Sequence, residues 1–269
     1  MMDPSHNRVY GAAHFYDVAF NFRDIGAECD VLAALAERYG NGAPHTVLEL
    51  AAGPARHARE WARRGAAATA LDSSAAMCEY ALECAARDGL LLQVVVADMV
   101  DFSLGQRFDL TVMPMDSSSY LLDNAAALKH LDSVARHLVD GGLYVLEMTH
   151  PRTAFGVGPS TGTDWISEAD GIRVHTCWGA AGDAFDPITQ IDEVTVTMAW
   201  SGKAGEGRLQ ERARQRRFTA NEVDALVRAS GQFEIVEWLG SLARATAFSN
   251  DPAAAFMVPV LRKRTTARC

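Results

Sequence analysis

From His45 to Glu147, short runs of β-forming residues alternate with longer stretches of helical periodicity; the runs are Thr46 to Leu50, Ala66 to Leu71, Leu91 to Val96, Phe108 to Met113 and Leu143 to Met148. Parallel strands need a crossover of a dozen or more residues, usually a helix, so this alternation predicts an α/β fold around a parallel sheet. The helical stretches carry their own punctuation. Pro54 follows Gly53 at a helix start, Ser73 and Ser74 can cap the next, and Leu128, Leu131, Val134 and Leu138 form an apolar stripe in a third. Leu138-Val139-Asp140-Gly141-Gly142 reads as a helix stop feeding the fifth strand.

The flanks differ. Tyr10 to Tyr39 reads as a helical segment, with Val31, Leu32 and Leu35 at helical spacing and Gly40-Asn41-Gly42 as a stop. Between Pro151 and Arg217 a Gly/Pro/Ser/Thr-rich loop gives way to period-two alternation, clearest at Val194, Val196, Met198 and Trp200, which predicts antiparallel strands. The α/β pattern then resumes. Thr219 and Glu222 make a capping box, Val223, Leu226 and Val227 face inward, Gly231 stops the helix, and strands follow at Phe233 to Trp238 and near Ala255 to Leu261. The expected organisation is a helical cap over residues 1–40, a core over 41–151 and 218–269, and an antiparallel lid over 152–217.

Composition narrows the function classes. With 49% hydrophobic and 22% charged residues in 269, the chain can bury a large core. A net charge of −9 gives no help in binding phosphate backbones or anionic lipid, so neither nucleic acid nor membrane is expected as a partner. Cys29, Cys78, Cys84, Cys177 and Cys269 are scattered without a C-x-x-C pair, which predicts free thiols and no metal. The N-terminus lacks the apolar core of a signal peptide, and a cytoplasmic location is expected. Arg208, Arg212, Arg214, Arg216 and Arg217 read as a basic, solvated edge strand.

The chemistry concentrates at Val47-Leu48-Glu49-Leu50-Ala51-Ala52-Gly53-Pro54-Ala55-Arg56-His57, a hydrophobic strand running into a small-residue turn and then a helix. Small residues there let backbone N–H groups and a helix N-terminus approach a ligand closely, as an adenosine cofactor requires. The second strand ends in Asp72, 19 residues beyond Gly53, where a carboxylate can accept hydrogen bonds from ribose hydroxyls. These two features alone fit a nicotinamide cofactor as well as S-adenosylmethionine. Glu49 tips the balance, because a carboxylate just before the turn repels pyrophosphate but suits a sulfonium. Ala97-Asp98-Met99 then brings a carboxylate and an apolar side chain to the sheet's carboxyl edge together, fit for an adenine amino group and ring.

In this ordered set the chain resembles the class I S-adenosylmethionine-dependent methyltransferases of small-molecule type, over nearly its whole length outside the insertion. The resemblance implies a Rossmann-like, doubly wound, seven-stranded, mostly parallel sheet with an antiparallel β lid insertion. It also implies a cofactor set of Tyr16, Glu49, Ala51, Gly53, Asp72, Ser73, Met77, Asp98, Met99 and Met113. Asp116, Tyr120 and His150 are the candidates for orienting the acceptor or removing a proton. The loop departs from the family, which usually has two or three glycines where this chain keeps Gly53 alone and adds the methyls of Ala51 and Ala55 and the ring of Pro54.

Each residue also has a plainer reading. Asp72 and Asp98 could merely cap helices, Asp116 to Tyr120 could be a polar turn, and Tyr10, Tyr16, Phe20 and Phe22 could be an apolar helix face. The leading expectation is methyl transfer to a small molecule, of the kind found in secondary metabolism, by a monomer or homodimer. Two alternatives stand beside it. One is internal cyclisation of the cofactor to azetidine-2-carboxylate and methylthioadenosine, prompted by the altered loop; the other is a cofactor-binding module without catalysis. If the assignment of the acids is right, Asp72→Ala and Asp98→Ala weaken cofactor binding while Asp116→Ala chiefly lowers turnover. Titration calorimetry with S-adenosylmethionine checks this, and unchanged affinity in both of the first two variants removes those carboxylates from the site.

Overall fold

The computed structural model describes residues 8–155 and 163–265. Five strands, β1 (Thr46–Leu50), β2 (Ala67–Asp72), β3 (Gln93–Val96), β4 (Phe108–Met113) and β5 (Leu138–Leu146), pair in parallel. With β12 (Phe233–Leu239) and β13 (Phe256–Lys263) they form a sheet in the order β12-β13-β5-β4-β1-β2-β3, and the short β6 (Met148–Thr149) pairs with β13. Only β13 runs against its neighbours β5 and β12. The chain winds outward from β1 through β2 to β3 and then crosses back to β4, beside β1. That reversal opens a crevice at the carboxyl ends of β1 and β4, where α/β sheets bind their ligands.

Helices cover both faces of the sheet. Among them are α3 (Ile25–Tyr39), α4 (Arg56–Arg63), α5 (Ala75–Arg87), α6 (Asn124–His137) and α8 (Ala220–Ser230). Leu32 and Leu35 of α3 pack with Trp61 of α4 against Val47, Leu110 and Val145 on one face. On the other face Leu131 and Val134 of α6 and Val223 and Leu226 of α8 meet Leu48, Leu146 and Leu261. Each fully buried Leu contributes about 1.5–3 kcal/mol, and the paired faces hold the strand ends in fixed relation. The predicted caps form: Ser74 accepts from the Met77 N–H, and Thr219 and Glu222 close a capping box.

Two elements depart from the sequence reading. The fifth strand begins at Leu138, directly after α6, rather than beyond the glycine pair. Gly141 and Gly142 lie inside it, where the pairing with β4 shifts register between Phe108 and Leu110. A Cβ at Gly142 would sit 3.0 Å from the Val139 carbonyl oxygen and 3.1 Å from that of Asp109, so the pair makes an irregularity instead of a stop. The N-terminal helical run is also interrupted. It forms α1 (Arg8–Gly11), α2 (Ala13–Ala19) and α3, with Asp24 capping α3 by accepting from the Ala27 N–H.

The insertion forms a second, antiparallel sheet. Its strands β7 (Thr163–Ala169), β8 (Ile172–Trp178), β10 (Ile191–Gly202) and β11 (Gly207–Arg216) lie in the order β11-β10-β8-β7, with β9 (Phe185–Asp186) paired to β10. The predicted alternation holds: Val194, Val196 and Met198 turn inward with Val174 and pack on Val9, Val18 and Ala19. Trp165 Nε1 and Ser167 Oγ both donate to the Ala19 carbonyl, and Phe15 stacks on Trp200 with ring centres 4.2 Å apart. The lid and the first two helices therefore share one apolar cluster. The basic strand is solvated only in part. Arg208, Arg212 and Arg214 are exposed on the edge, but Arg216 is buried against Glu222, Asn124 and the Phe218 ring, and Arg217 pairs with Asp192. The chain there leaves the lid to re-enter the core, so its cations need internal partners.

Cys29, Cys78 and Cys84 are buried free thiols and Cys177 is a half-buried one, while Cys269 lies outside the described residues. Among the described residues no helix is long and apolar enough to cross a membrane.

Candidate functional site

The turn after β1 is the tightest piece of backbone in the sheet's carboxyl edge. Ala51, Gly53 and Ala55 all take left-handed φ values, 48°, 51° and 55°. Gly53 does so without steric cost, whereas each alanine stores roughly 1–2 kcal/mol because its Cβ crowds the following carbonyl. The turn delivers the Gly53 N–H to Asp72 Oδ2 at 2.7 Å, and the Ser74 N–H reaches Oδ1 at 2.8 Å. Burial pushes the Asp72 carboxyl up despite these donors. Each oxygen keeps a lone pair for a hydroxyl donor. A Cβ on Gly53 would lie 3.9 Å from both Met77 Sδ and Tyr16 Cε1, so these side chains wall one cleft with Asp72.

Glu49, 2% exposed, accepts from the Ala58 N–H at 2.7 Å and faces His57 Nδ1 at 3.4 Å. From His57 a buried ionic chain continues across the molecule. His57 Nε2 lies 2.8 Å from Glu28 Oε2, and the Arg23 guanidinium grips Glu28 at 2.7 and 2.9 Å and Glu147 at 2.6 and 3.1 Å. Glu147 also accepts from the Met115 N–H at 2.9 Å. Hydrogen bonds to Glu28 and Glu49 outweigh burial and raise the His57 pKa to about 9, while His57 and Arg23 hold the Glu28 carboxyl below its usual range. Three carboxylates therefore face two cations, leaving one net negative charge at the carboxyl ends of β1 and β5.

Of this chain the sequence reading found Glu49 and, at the end of the same motif, His57. Glu147 carried the same signal, a lone acid closing an apolar strand. Arg23 and Glu28 carried none, because a helix cap meets strand ends only through tertiary packing.

The remaining cofactor candidates separate. Asp98 is exposed beyond β3, with Oδ1 accepting from the Val100 N–H at 2.8 Å. Met99 is half-buried beside it, and Ser73 is exposed at the start of α5. Met113 is fully buried, its carbonyl accepting from the Glu147 N–H and its sulfur lying 3.6 Å from the Tyr144 hydroxyl. It belongs to the core beneath the site.

Beyond β4 the backbone is again left-handed at Met115 and Asp116, with φ 62° and 55°. Asp116 accepts from the Thr149 N–H at 2.9 Å and the Thr149 hydroxyl at 2.6 Å. Burial, reinforced by the Glu147 charge, raises its pKa to about 6. The following 3₁₀ turn, Ser117–Tyr120, brings the Tyr120 hydroxyl to 2.5 Å from that of Tyr10, and Gln215 Nε2 of the lid donates to Tyr120 at 3.3 Å. Trp178 Nε1 in turn donates to Gln215 Oε1. Core, cap and lid thus meet at Tyr120. His150 stands apart: its Nδ1 accepts from the Arg152 N–H in the short α7 (Pro151–Ala154), and its Nε2 donates to the Ser249 carbonyl. Both ring nitrogens are engaged in structure, while Asp116 and Tyr120 stand at the two ends of one 3₁₀ turn with separate partners.

The residues present fit S-adenosylmethionine. Asp72 keeps acceptor capacity for a ribose diol, the exposed Asp98 carboxylate keeps acceptor capacity for an adenine amino group, and the net negative ionic chain suits a sulfonium. The hydroxyls of Ser118 and Ser119 are buried without a hydrogen-bond partner among the described residues, beside Asp116. Such orphaned groups in a native fold are ordinarily met by water or by a bound group.

Residues 47–142 match the family model described as a methyltransferase domain. No curated protein matches the chain. Among solved structures, an S-adenosylmethionine-dependent methyltransferase from Clostridium acetobutylicum ATCC 824 is similar at 18% identity and a TM-score of 0.75, covering 94% of this chain and 98% of that one. A sugar N-methyltransferase from Streptoalloteichus sp ATCC 53650 aligns at 21% identity and 0.68, covering 93% of both chains. An amino pentose methyltransferase from Micromonospora echinaspora, involved in calicheamicin biosynthesis, aligns at 20% and 0.67 over 98% of this chain and 100% of that one. At these identities the structural likeness establishes the fold.

His57 gives the ionic chain a pH signature. Its folded pKa of about 9 exceeds the ordinary 6.5, so its contribution to stability is complete below pH 6.5 and is lost as the pH rises through 9. The shift corresponds to about 3 kcal/mol. Denaturant unfolding of the wild type falls off over this window, and His57→Gln is less stable at pH 6 but lacks that decline.

Proposed function

We propose that this chain, which matches a methyltransferase domain over residues 47–142, uses S-adenosylmethionine to methylate a nitrogen of a small-molecule acceptor held between Asp116 and the lid. The observation that carries this reading is the half-buried hydrogen-bonded group of Tyr120, Tyr10 and Gln215, which joins core, cap and lid at the end of the turn that Asp116 begins. Aromatic faces and carboxylates surround it. Tyr10 lies with its ring 5.6 Å from that of Tyr16 and 6.3 Å from that of Tyr120, and Glu211 accepts from the Val9 N–H close by. Ring faces and carboxylates attract an ammonium group and disfavour an anionic acceptor. Two of the similar solved structures are named for a sugar N-methyltransferase and an amino pentose methyltransferase, which supports an amino sugar or related natural-product amine.

S-adenosylmethionine, when bound, supplies a methyl group on a sulfonium that is already activated for displacement. The protein's part is then alignment, exclusion of water and management of one proton. Asp72 orients the ribose and Asp98 the adenine, while the left-handed turn at Ala51 to Ala55 and Tyr16 confine the amino-acid tail. Tyr120 and Tyr10 orient the acceptor amine. Asp116, fixed by Thr149 and with its pKa raised to about 6, holds the proton that the amine sheds.

A second reading rests on the turn itself. The methyl of the half-exposed Ala51, held at a left-handed φ, would narrow the wall beside the cofactor's aminobutyrate chain, whereas that of Ala55 is buried in the core, and a bent chain favours attack of its own amine on the γ-carbon. One experiment separates the two. Purified protein incubated with S-adenosylmethionine alone is expected to leave it unchanged against a no-enzyme control. Addition of amino-sugar acceptors then yields S-adenosylhomocysteine and a product 14 Da heavier by mass spectrometry. Enzyme-dependent methylthioadenosine with azetidine-2-carboxylate, in the absence of acceptor, establishes the cyclisation instead. With an acceptor in hand, Asp116→Asn lowers kcat by roughly 10²–10⁴-fold with little change in cofactor affinity.

A further inference from the structure

On the outer face of the lid, Asp164, His175 and Cys177 place one carboxylate oxygen, one ring nitrogen and one sulfur within 4.8 Å of one another. Strand pairing makes this arrangement. Asp164 of β7 sits directly opposite Cys177 of β8, and His175 lies two residues along β8, so all three side chains leave the sheet on the same face. His175 Nε2 is 2.5 Å from Asp164 Oδ1 and 3.8 Å from Cys177 Sγ.

The detail that decides the chemistry is that both neighbours face the same ring nitrogen. A nucleophile relay needs the carboxylate on one nitrogen and the thiol on the other, so the imidazole could not pass a proton from Cys177 toward Asp164. Convergence of three donors on one point is the geometry of metal ligation. In a tetrahedral zinc site, bonds of about 2.0–2.3 Å set ligand atoms roughly 3.3–3.7 Å apart. The nitrogen-to-sulfur distance is already close to that, and the Asp164 side chain, 66% exposed, is free to swing outward by under about 1 Å to complete it.

We infer that Asp164, His175 and Cys177 form a site for a zinc-like divalent transition metal on the outer face of the lid, with solvent as the fourth ligand. On binding, the Cys177 thiol gives its proton to solvent as the sulfur–metal bond forms, and His175 binds as the neutral imidazole through Nε2. Alternation along the strands gives the site a structural consequence. Trp165 and Trp178, the next residues after Asp164 and Cys177, point to the inner face, where both rings pack on Phe20. A metal bridging β7 and β8 outside therefore stiffens the wall that carries these two tryptophans inside. The site does not depend on which acceptor is methylated, or on whether methyl transfer is the reaction.

Cobalt(II) is the probe, because thiolate ligation gives it a charge-transfer band. The full-length protein, stripped with a chelator, is expected to bind one equivalent with that band and with tetrahedral d–d absorption, displaced by zinc(II), and to change its tryptophan fluorescence. Cys177→Ser abolishes the band, and Cys177→Ser and His175→Gln each weaken binding by at least about tenfold. The three residues lie on the outer face of the lid and none is fully buried, so circular dichroism is expected to show all variants folded. Absence of the band from the wild type, or its survival in Cys177→Ser, overturns the assignment; survival would place the metal on another thiol.

Discussion

The chain of buried charges from Glu49 through His57, Glu28 and Arg23 to Glu147 is what ties the separate parts of this protein into one site. Its members come from β1, α4, α3, the turn before α3 and the end of β5, so each link is also a contact between elements. Ion pairs this deep contribute little net stability, because desolvation offsets most of their attraction. Breaking one link is another matter, since it strands a charge in a low-dielectric interior at a cost of about 3–5 kcal/mol. The network therefore acts as a register device. It accepts only the arrangement in which the N-terminal helices lie over the carboxyl ends of the strands.

The cap and the lid depend on that placement. Arg23 fixes the turn that follows α2, and α2 is the element on which the inner face of the lid packs through Val18, Ala19 and the Phe15–Trp200 stack. A second tie, Asp17 to Arg56 at 2.6 Å, fastens α2 to the start of α4 beside the cofactor turn. Three segments far apart in sequence consequently meet at the Tyr10, Tyr120 and Gln215 contact.

Backbone strain is concentrated at the same edge. Ala51, Ala55, Met115 and Asp116 all adopt left-handed conformations around the crevice. Residues other than glycine hold such conformations only where the surroundings over-determine them, and here the hydrogen bonds of Asp72, Glu147 and Thr149 do so. The family resemblance placed small residues at the first of these turns, but the conformation at Ala51 and Ala55 shows why glycine would be easier: the chain keeps the glycine geometry and carries two methyls within it.

By itself the sequence determined the alternation of strands and helices, the antiparallel insertion, the strand-end acids Glu49, Asp72 and Asp98, and the turn between β1 and α4. All of these are local: period, capping and a residue's place at the end of a strand are properties of a few neighbours. Tertiary structure alone decided which charges meet. It joined Arg23 and Glu28 to Glu147, engaged both ring nitrogens of His150, placed Met113 in the core, and buried Arg216 where the basic strand looked solvated. It also set Asp164 opposite His175 and Cys177, which spacing along the chain hid because none of the familiar cysteine pairs was present. The physical reason is common to all of these. A polar side chain's role depends on the partner that desolvates or neutralises it, and that partner is chosen by strand register and helix packing across dozens of residues, not by its neighbours in sequence.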